Sequence, residues 1–178
     1  MYGLYRLKQV RKVLTDEAAV TIAVDIVMSY LDYSNAILIG LPKHEVSRLQ
    51  RVQVLAARAV LGRKAHESST RCLKQLHWLP IHLRIEHKVL TLVFKALKGK
   101  APQYLKNMLN INKSVRLLRS NNMYMKLDVA KVKRESFANR SFSVMGPRLW
   151  NDIPNEVKHC VEVETFKKKL KTFLFNKF

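Results

Sequence analysis

Residues 46–62 read VSRLQRVQVLAARAVLG, and this stretch decides the class of fold. Side chains suited to one buried face recur every three or four residues, which is the spacing of an α-helix. They are Val46, Leu49, Val52, Gln53, Ala56, Ala57 and Val60. Pro42 suits the first turn of this helix, and Gly62 suits the residue that ends it. The opposite face carries the arginines Arg48, Arg51 and Arg58.

The same helical spacing recurs before and after this stretch. One helix is predicted to begin near Thr15, which can cap it, and its buried face comprises Ala19, Ile22, Ala23, Ile26, Val27, Tyr30 and Leu31. A second is predicted between Pro80 and Leu97. A third, at the C-terminus, buries Phe166, Leu170, Phe173 and Leu174 and surrounds them with Lys167, Lys168, Lys169 and Lys171. Glycine and proline are few, five each, so we predict a mainly α protein, an irregular helical bundle.

The region between residues 110 and 136 differs from its surroundings. It is rich in asparagine and basic residues, and only residues 127–132 alternate briefly between apolar and polar. We therefore predict an extended or mobile connector over 110–136, with a short strand in it. The connector separates a helical domain over 1–109 from a small C-terminal helical segment over 137–178.

The net charge of the chain is +20, from 33 Lys and Arg against 13 Asp and Glu. A surface whose positive charge is so poorly balanced by acidic residues favours a polyanionic partner, and nucleic acid is the commonest one. An anionic membrane is the competing partner for basic amphipathic helices. We favour nucleic acid because the charge is spread along the whole chain and is not concentrated on one helix.

The N-terminal sequence has no uninterrupted apolar region of the kind a signal peptide needs, and no stretch approaches the ~18 apolar residues of a spanning helix. The two cysteines, Cys72 and Cys160, are too few for a disulfide framework and are predicted to be reduced thiols. The sequence therefore predicts an intracellular protein, nuclear or cytoplasmic, that is neither secreted nor inserted in a membrane.

No constellation for catalysis or metal binding stands out. Cys72, His77, His82 and His87 follow one another at intervals of five residues. On a helix this interval rotates each side chain by about 140°, so the four would not converge on a metal ion. Phosphate-binding glycine loops, nucleophile motifs and grouped carboxylates are also lacking in the sequence. We predict no enzyme activity, no metal, no cofactor and no small-molecule substrate.

The basic residues along the helices are the candidate binding site. We assign phosphate contacts to Arg48, Arg51, Arg58, Arg63, Lys64, Arg84 and Lys88. The alternative interpretation for any one of these residues is that it simply belongs to a solvent-exposed helix surface. Stacking on bases is open to the aromatic residues Tyr5, Tyr33, Tyr124 and Trp150. For these, the alternative is a place in the hydrophobic core.

Several segments together resemble the post-palm region of jockey-like and chicken-repeat-like LINE reverse transcriptases. In order along the chain they are YLDYSN (30–35), GLP (40–42), RLQRVQ (48–53) with Ala56-Ala57-Arg58, LHWLPI (76–81) with Arg84-Ile85 and Lys88, GKAPQYL (99–105), FSVMGPRLWN (142–151), and Phe166-Lys167 with Leu170-Lys171. Each segment alone is weak, but their common order over nearly the whole chain is specific. Ser34 stands where many relatives have Cys, and Val54 where many have Asn.

The resemblance implies a role in reverse transcription of element RNA at a nicked chromosomal site. The family's polymerase carboxylates lie in an N-terminal palm, in a Tyr-x-Asp-Asp type motif, and this sequence has neither that motif nor an endonuclease. The implied role is that of a thumb-like domain, over 1–109, and a C-terminal region that grip RNA or an RNA/DNA primer–template duplex. The missing palm is then a further partner. The alternative is a structural or protein-interaction domain, or a non-functional relic, with no specific nucleic-acid ligand.

Overall fold

The computed structural model of the chain describes residues 2–111, 126–130 and 140–178. These residues are mainly helical, as predicted. The chain divides into two compact units. Unit 1 comprises the described residues up to Ile85, together with Phe178, and unit 2 runs from Glu86 to Lys177. The predicted ranges 1–109, 110–136 and 137–178 place the boundaries elsewhere, and they stay a prediction because most of 110–136 lies outside the described residues.

Unit 1 is a succession of helices joined by tight turns. Its elements are α1 (Tyr2–Val10), a 3-10 turn (Arg11–Val13), α2 (Asp16–Ala23), a π-helical turn (Val24–Met28), α3 (Ser29–Asp32), a second 3-10 turn (Asn35–Leu38), α4 (Lys43–Leu61), α5 (Ser69–Gln75) and the first residues of α6 (Ile81–Leu97). Thr15 caps α2, as predicted, by accepting a hydrogen bond from the amide of Ala18. Helix α4 ends at Gly62, whose φ of 62° is the left-handed conformation that glycine adopts without strain.

The buried face of the segment from α2 to α3 differs from the prediction. Ala19, Ala23, Val27 and Leu31 are buried as expected, at a constant spacing of four residues. Two residues of the predicted face, Ile26 and Tyr30, are exposed by 39% and 80%. The π-helical turn is the reason, because its wider i→i+5 pattern shifts every following side chain around the helix axis. The prediction assumed an uninterrupted α-helix and was wrong for these two residues.

A fully buried glutamine joins α4 to the start of α6. Gln53 Nε2 donates a hydrogen bond to the carbonyl of Leu79 at 2.9 Å, and its Oε1 accepts one from Gln50 Nε2 at 2.9 Å. Gln50 Oε1 in turn accepts a hydrogen bond from the amide of Ile81, at 2.9 Å. That amide belongs to the first turn of α6 and has no partner within its own helix. The two side chains therefore satisfy polar groups that burial would otherwise leave unpaired.

In its described residues, unit 2 contains the remainder of α6 and five short elements before its long terminal helix. They are α7 (Gln103–Asn107), β1 (Asn110–Ile111), β2 (Leu127–Asp128), α8 (Phe142–Asp152), α9 (Asn155–Lys158) and the terminal α10 (Val163–Lys177). Strands β1 and β2 pair antiparallel, with Asn110 opposite Asp128 and Ile111 opposite Leu127. The short strand predicted within 127–132 is therefore present at its beginning, and residues 131 and 132 lie outside the described part.

The core of unit 2 is built around an aromatic cluster. The rings of Phe94 and Phe166 stack with centroids 4.1 Å apart, and Trp150 lies 6.1 Å from Phe166. Helix α8 approaches α6 closely at Gly146, where an added Cβ would lie 3.0 Å from a methyl group of Val93. The cluster therefore joins α6, α8 and α10, the three longest helical stretches of this unit.

Candidate nucleic-acid interface

The outer face of α4 carries the best exposed of the predicted phosphate-binding residues. Arg48 and Arg51, three residues apart, project from the same side of the helix. The Arg48 side chain is 76% exposed and lies 3.5 Å from a carboxylate oxygen of Glu45. Arg51 is exposed, and in the described part of the chain it has no ion-pair partner. An exposed pair such as Arg48–Glu45 contributes little energy, so a phosphate can replace the carboxylate at small cost.

The C-terminal end of α4 is organised around Glu67. Arg58 Nη2 donates to the carbonyl of Glu67 at 2.5 Å, and Arg63 Nη1 lies 3.3 Å from its carboxylate. The same carboxylate accepts a hydrogen bond from the amide of Lys64, at 3.2 Å. Arg58 Nε is buried and has no hydrogen-bond partner among the described residues. Arg58 therefore serves mainly to fix the loop after α4, whereas the side chain of Lys64 is exposed.

Arg84 is engaged inside unit 1. Its Nε donates to Asp32 Oδ1 at 2.8 Å, and its Nη2 pairs with Asp32 Oδ2. Asn35 Nδ2 donates to the same Oδ1 at 3.1 Å. The side chain of Arg84 is only 22% exposed, and the donors that bind a carboxylate in the two-point geometry are used in this pair. Arg84 is therefore left out of the proposed phosphate-binding residues.

Lys88 belongs to unit 2, and its position is described there alone. It is exposed on α6, and no ion pair involves it within residues 2–111, 126–130 and 140–178. It is thus free to contact an anion. The name α4 face is used here for a set of unit 1 cations, the helix residues Arg48 and Arg51 with Arg63 and Lys64 of the loop that follows the helix.

The aromatic residues proposed for stacking have different environments. Trp150 is 2% exposed and lies within the core cluster, so the stacking interpretation is wrong for it. Tyr5 and Tyr33 are exposed by 61% and 83% and remain accessible. Tyr124 lies outside the described residues. Tyr30, which the sequence placed in the core, is as exposed as Tyr33, and only the constant four-residue spacing from Ala19 to Leu31 could have indicated this.

Two further observations concern other kinds of site. Cys72 and Cys160 are free thiols, and both are buried. In the part of the chain that the structure describes, no three His, Cys, Asp or Glu side chains are grouped to hold a metal ion. In that same part, no helix combines the length and the apolar character needed to cross a bilayer.

Comparisons of the chain with protein-family models, with curated protein sequences and with solved structures found no match. The resemblance to LINE reverse transcriptases therefore rests on the sequence segments themselves. Three of these segments are in contact in unit 1. The Asp32–Arg84 pair ties residues 30–35 to α6, and Gln50 and Gln53 tie residues 48–53 to residues 76–81. These contacts give the segments a common structural role but identify no family.

Proposed function

We propose that this chain is a non-catalytic nucleic-acid-binding module, the thumb and C-terminal region of a LINE-type reverse transcriptase. On this proposal it grips RNA or an RNA/DNA primer–template duplex by its phosphate backbone. The observation that carries the proposal is the α4 face, where Arg51 is exposed beside the weakly paired Arg48 and has no ion-pair partner among the described residues. Arg63 and Lys64, both exposed, follow the end of the helix and add two further cations.

The distribution of carboxylates in unit 1 supports this proposal. Four arginines are each paired with an acidic side chain: Arg11 with Asp16, Arg48 with Glu45, Arg63 with Glu67, and Arg84 with Asp32. The carboxylates used in these pairs are not available to compensate Arg51 or Lys64. Uncompensated cations on a rigid helix attract phosphates, and phosphate contacts supply most of the affinity in sequence-independent binding.

The test is a binding titration of the full chain against a short RNA, an RNA/DNA primer–template duplex and a plain DNA duplex across a salt series. We expect the logarithm of the binding constant to fall linearly with the logarithm of salt, with a slope that corresponds to about five or more phosphates. We also expect RNA or the heteroduplex to bind more tightly than duplex DNA. Absence of binding by the folded monomer would overturn the proposal.

A protein-interaction domain is a second candidate, and one feature of unit 1 favours it. Between Lys12 and Lys43 the chain contains no Lys, Arg or His, yet Tyr30, Tyr33 and Ile37 are each at least 80% exposed there. Exposed aromatic and branched side chains are typical of protein interfaces. The partner that the resemblance implies is the polymerase palm. A purified palm of this family should bind the chain, and Tyr30→Ser with Tyr33→Ser should weaken that binding more than Tyr5→Ser.

A further inference from the structure

Helix α10 presents a row of lysines on the side opposite its buried face. Phe166, Leu170 and Leu174 are at most 1% exposed and point into the core of unit 2. Lys168 and Lys171 are exposed, three residues apart, and no ion pair involves either of them among the described residues. Because the helix is anchored by its apolar side, these ammonium groups are held on a fixed surface.

Helix α6 adds a lysine to the same surface. His87 on α6 lies within hydrogen-bond distance of α10, with 3.2 Å between its Nε2 and the carbonyl oxygen of Lys167. The hydrogen bond from Lys167 Nζ to Glu164, at 2.7 Å, lowers the pKa of that carboxyl group below its usual value, and the charges of Lys95 and Lys168 lower it further. Lys167 therefore lies beside the Glu164 carboxylate, and the charge of Lys95 on α6 acts on the same group.

We propose that these residues, Lys95, Lys167, Lys168 and Lys171, form a second phosphate-binding surface, which we call the unit 2 lysine surface. Its ligand is the phosphate backbone of nucleic acid. The surface differs in chemistry from the α4 face, because lysine is a compact point charge whereas arginine offers a planar, directional fork. The unit 2 lysine surface is therefore suited to sequence-independent contact that tolerates changes in the path of the backbone.

An anionic membrane is a poorer fit to the same lysines. A basic amphipathic helix binds a membrane by burying its apolar face at the level of the headgroups. In α10 that face is already occupied, since Phe166 stacks on Phe94 with centroids 4.1 Å apart. Membrane insertion would require the core of unit 2 to open, whereas nucleic acid can bind the exposed lysines of the folded unit.

This inference rests on the ligand class of the proposed function but not on the α4 face, so the two can be tested apart. The full chain is titrated with a single-stranded RNA of roughly 30 nucleotides across a salt series. Each lost phosphate contact makes the negative slope of log K against log salt shallower by about 0.7. For Lys168→Glu with Lys171→Glu we expect the slope to become shallower by about 1.4. Lys168→Gln with Lys171→Gln avoids placing new carboxylates near Glu164 and should change the slope in the same direction.

The matched control is Lys106→Glu with Lys177→Glu, which makes the same change in net charge at exposed lysines outside the surface. If the control reduces the slope as much as the Lys168 and Lys171 variant, the inference is overturned. Retention of the wild-type slope by that variant overturns it too, even if the α4 face proves essential. The inference is supported if the Lys168 and Lys171 variant has a shallower slope while substitution of Arg48 and Arg51 still has its own effect on the slope. Loss of binding to phosphatidylserine vesicles, with RNA binding unchanged, would assign the lysines to a membrane and overturn it.

Discussion

Asp32 and Arg84 form a two-point ion pair in unit 1, with Arg84 Nε donating to Asp32 Oδ1 at 2.8 Å and Nη2 pairing with Oδ2. The two residues are far apart in the chain, and the pair fixes the end of α3 against the first turns of α6. Both side chains are partly shielded from water, so the pair is more than a surface contact. A residue that sequence reasoning assigned to phosphate binding is thus part of the architecture.

Replacement of Arg84 distinguishes a structural role from a role in phosphate binding. For Arg84→Ala we expect a loss of about 1–2 kcal/mol in the free energy of unfolding, because Asp32 is left partly buried without its partner. Arg51→Ala, at an exposed arginine with no ion pair in the described part of the chain, should change stability by less than about 0.5 kcal/mol. Urea denaturation measures both values. Equal losses in the two variants would contradict the structural role of Arg84.

Gln53 should be among the least replaceable polar residues of unit 1. Gln53→Leu removes the hydrogen bond to the carbonyl of Leu79 and leaves Gln50 without one partner, at a cost of about 1–3 kcal/mol. Gln75→Leu, at an exposed glutamine, is the control and should be nearly neutral. The comparison again uses urea denaturation. A neutral Gln53→Leu would show that the buried network contributes nothing.

Asn151 acts on β2 as a neighbouring strand would. Its Oδ1 accepts from the amide of Leu127 at 3.0 Å, and its Nδ2 donates to the carbonyl of Leu127 at 2.8 Å. We expect Asn151→Ala to accelerate hydrogen exchange at the amide of Leu127 by at least about tenfold, whereas Asn155→Ala should leave it unchanged. Unchanged exchange in Asn151→Ala would mean that other contacts hold this strand.

The lowered pKa of Glu164 predicts a pH dependence on the acid side. Its carboxylate, favoured by Lys167, contributes stability that is present above the unfolded-state value of 4.5 and is lost as pH falls through the lower folded-state pKa. Glu164→Gln should therefore lose less stability between pH 6 and pH 2 than the wild type in thermal unfolding at low salt. The difference should shrink in high salt, because the group is fully exposed and screened. A salt-independent difference would point to a cause other than charge.

Several helices and their ends can be predicted from the sequence because each depends on a short local pattern. The stripe from Val46 to Val60 and the glycine at 62 predict α4 and its end, and both are found. The π-helical turn could not be predicted from helical spacing, which assumes an uninterrupted α-helix, whereas such turns are rare single insertions. The burial of Trp150 and the engagement of Arg84 depend on partners distant in the chain, Phe166 and Asp32, which helical spacing does not reveal.

The measurement that bears most directly on the proposed function is the salt dependence of binding to an RNA/DNA primer–template duplex. Arg48→Glu with Arg51→Glu is compared with Lys8→Glu with Lys12→Glu, which changes the net charge equally at exposed lysines before α2. We predict that the first variant makes the negative slope of log K against log salt shallower by about 1.8, the value for two lost phosphate contacts, and that the second changes it far less. Equal slopes for the two variants would contradict the α4 face as the nucleic-acid interface.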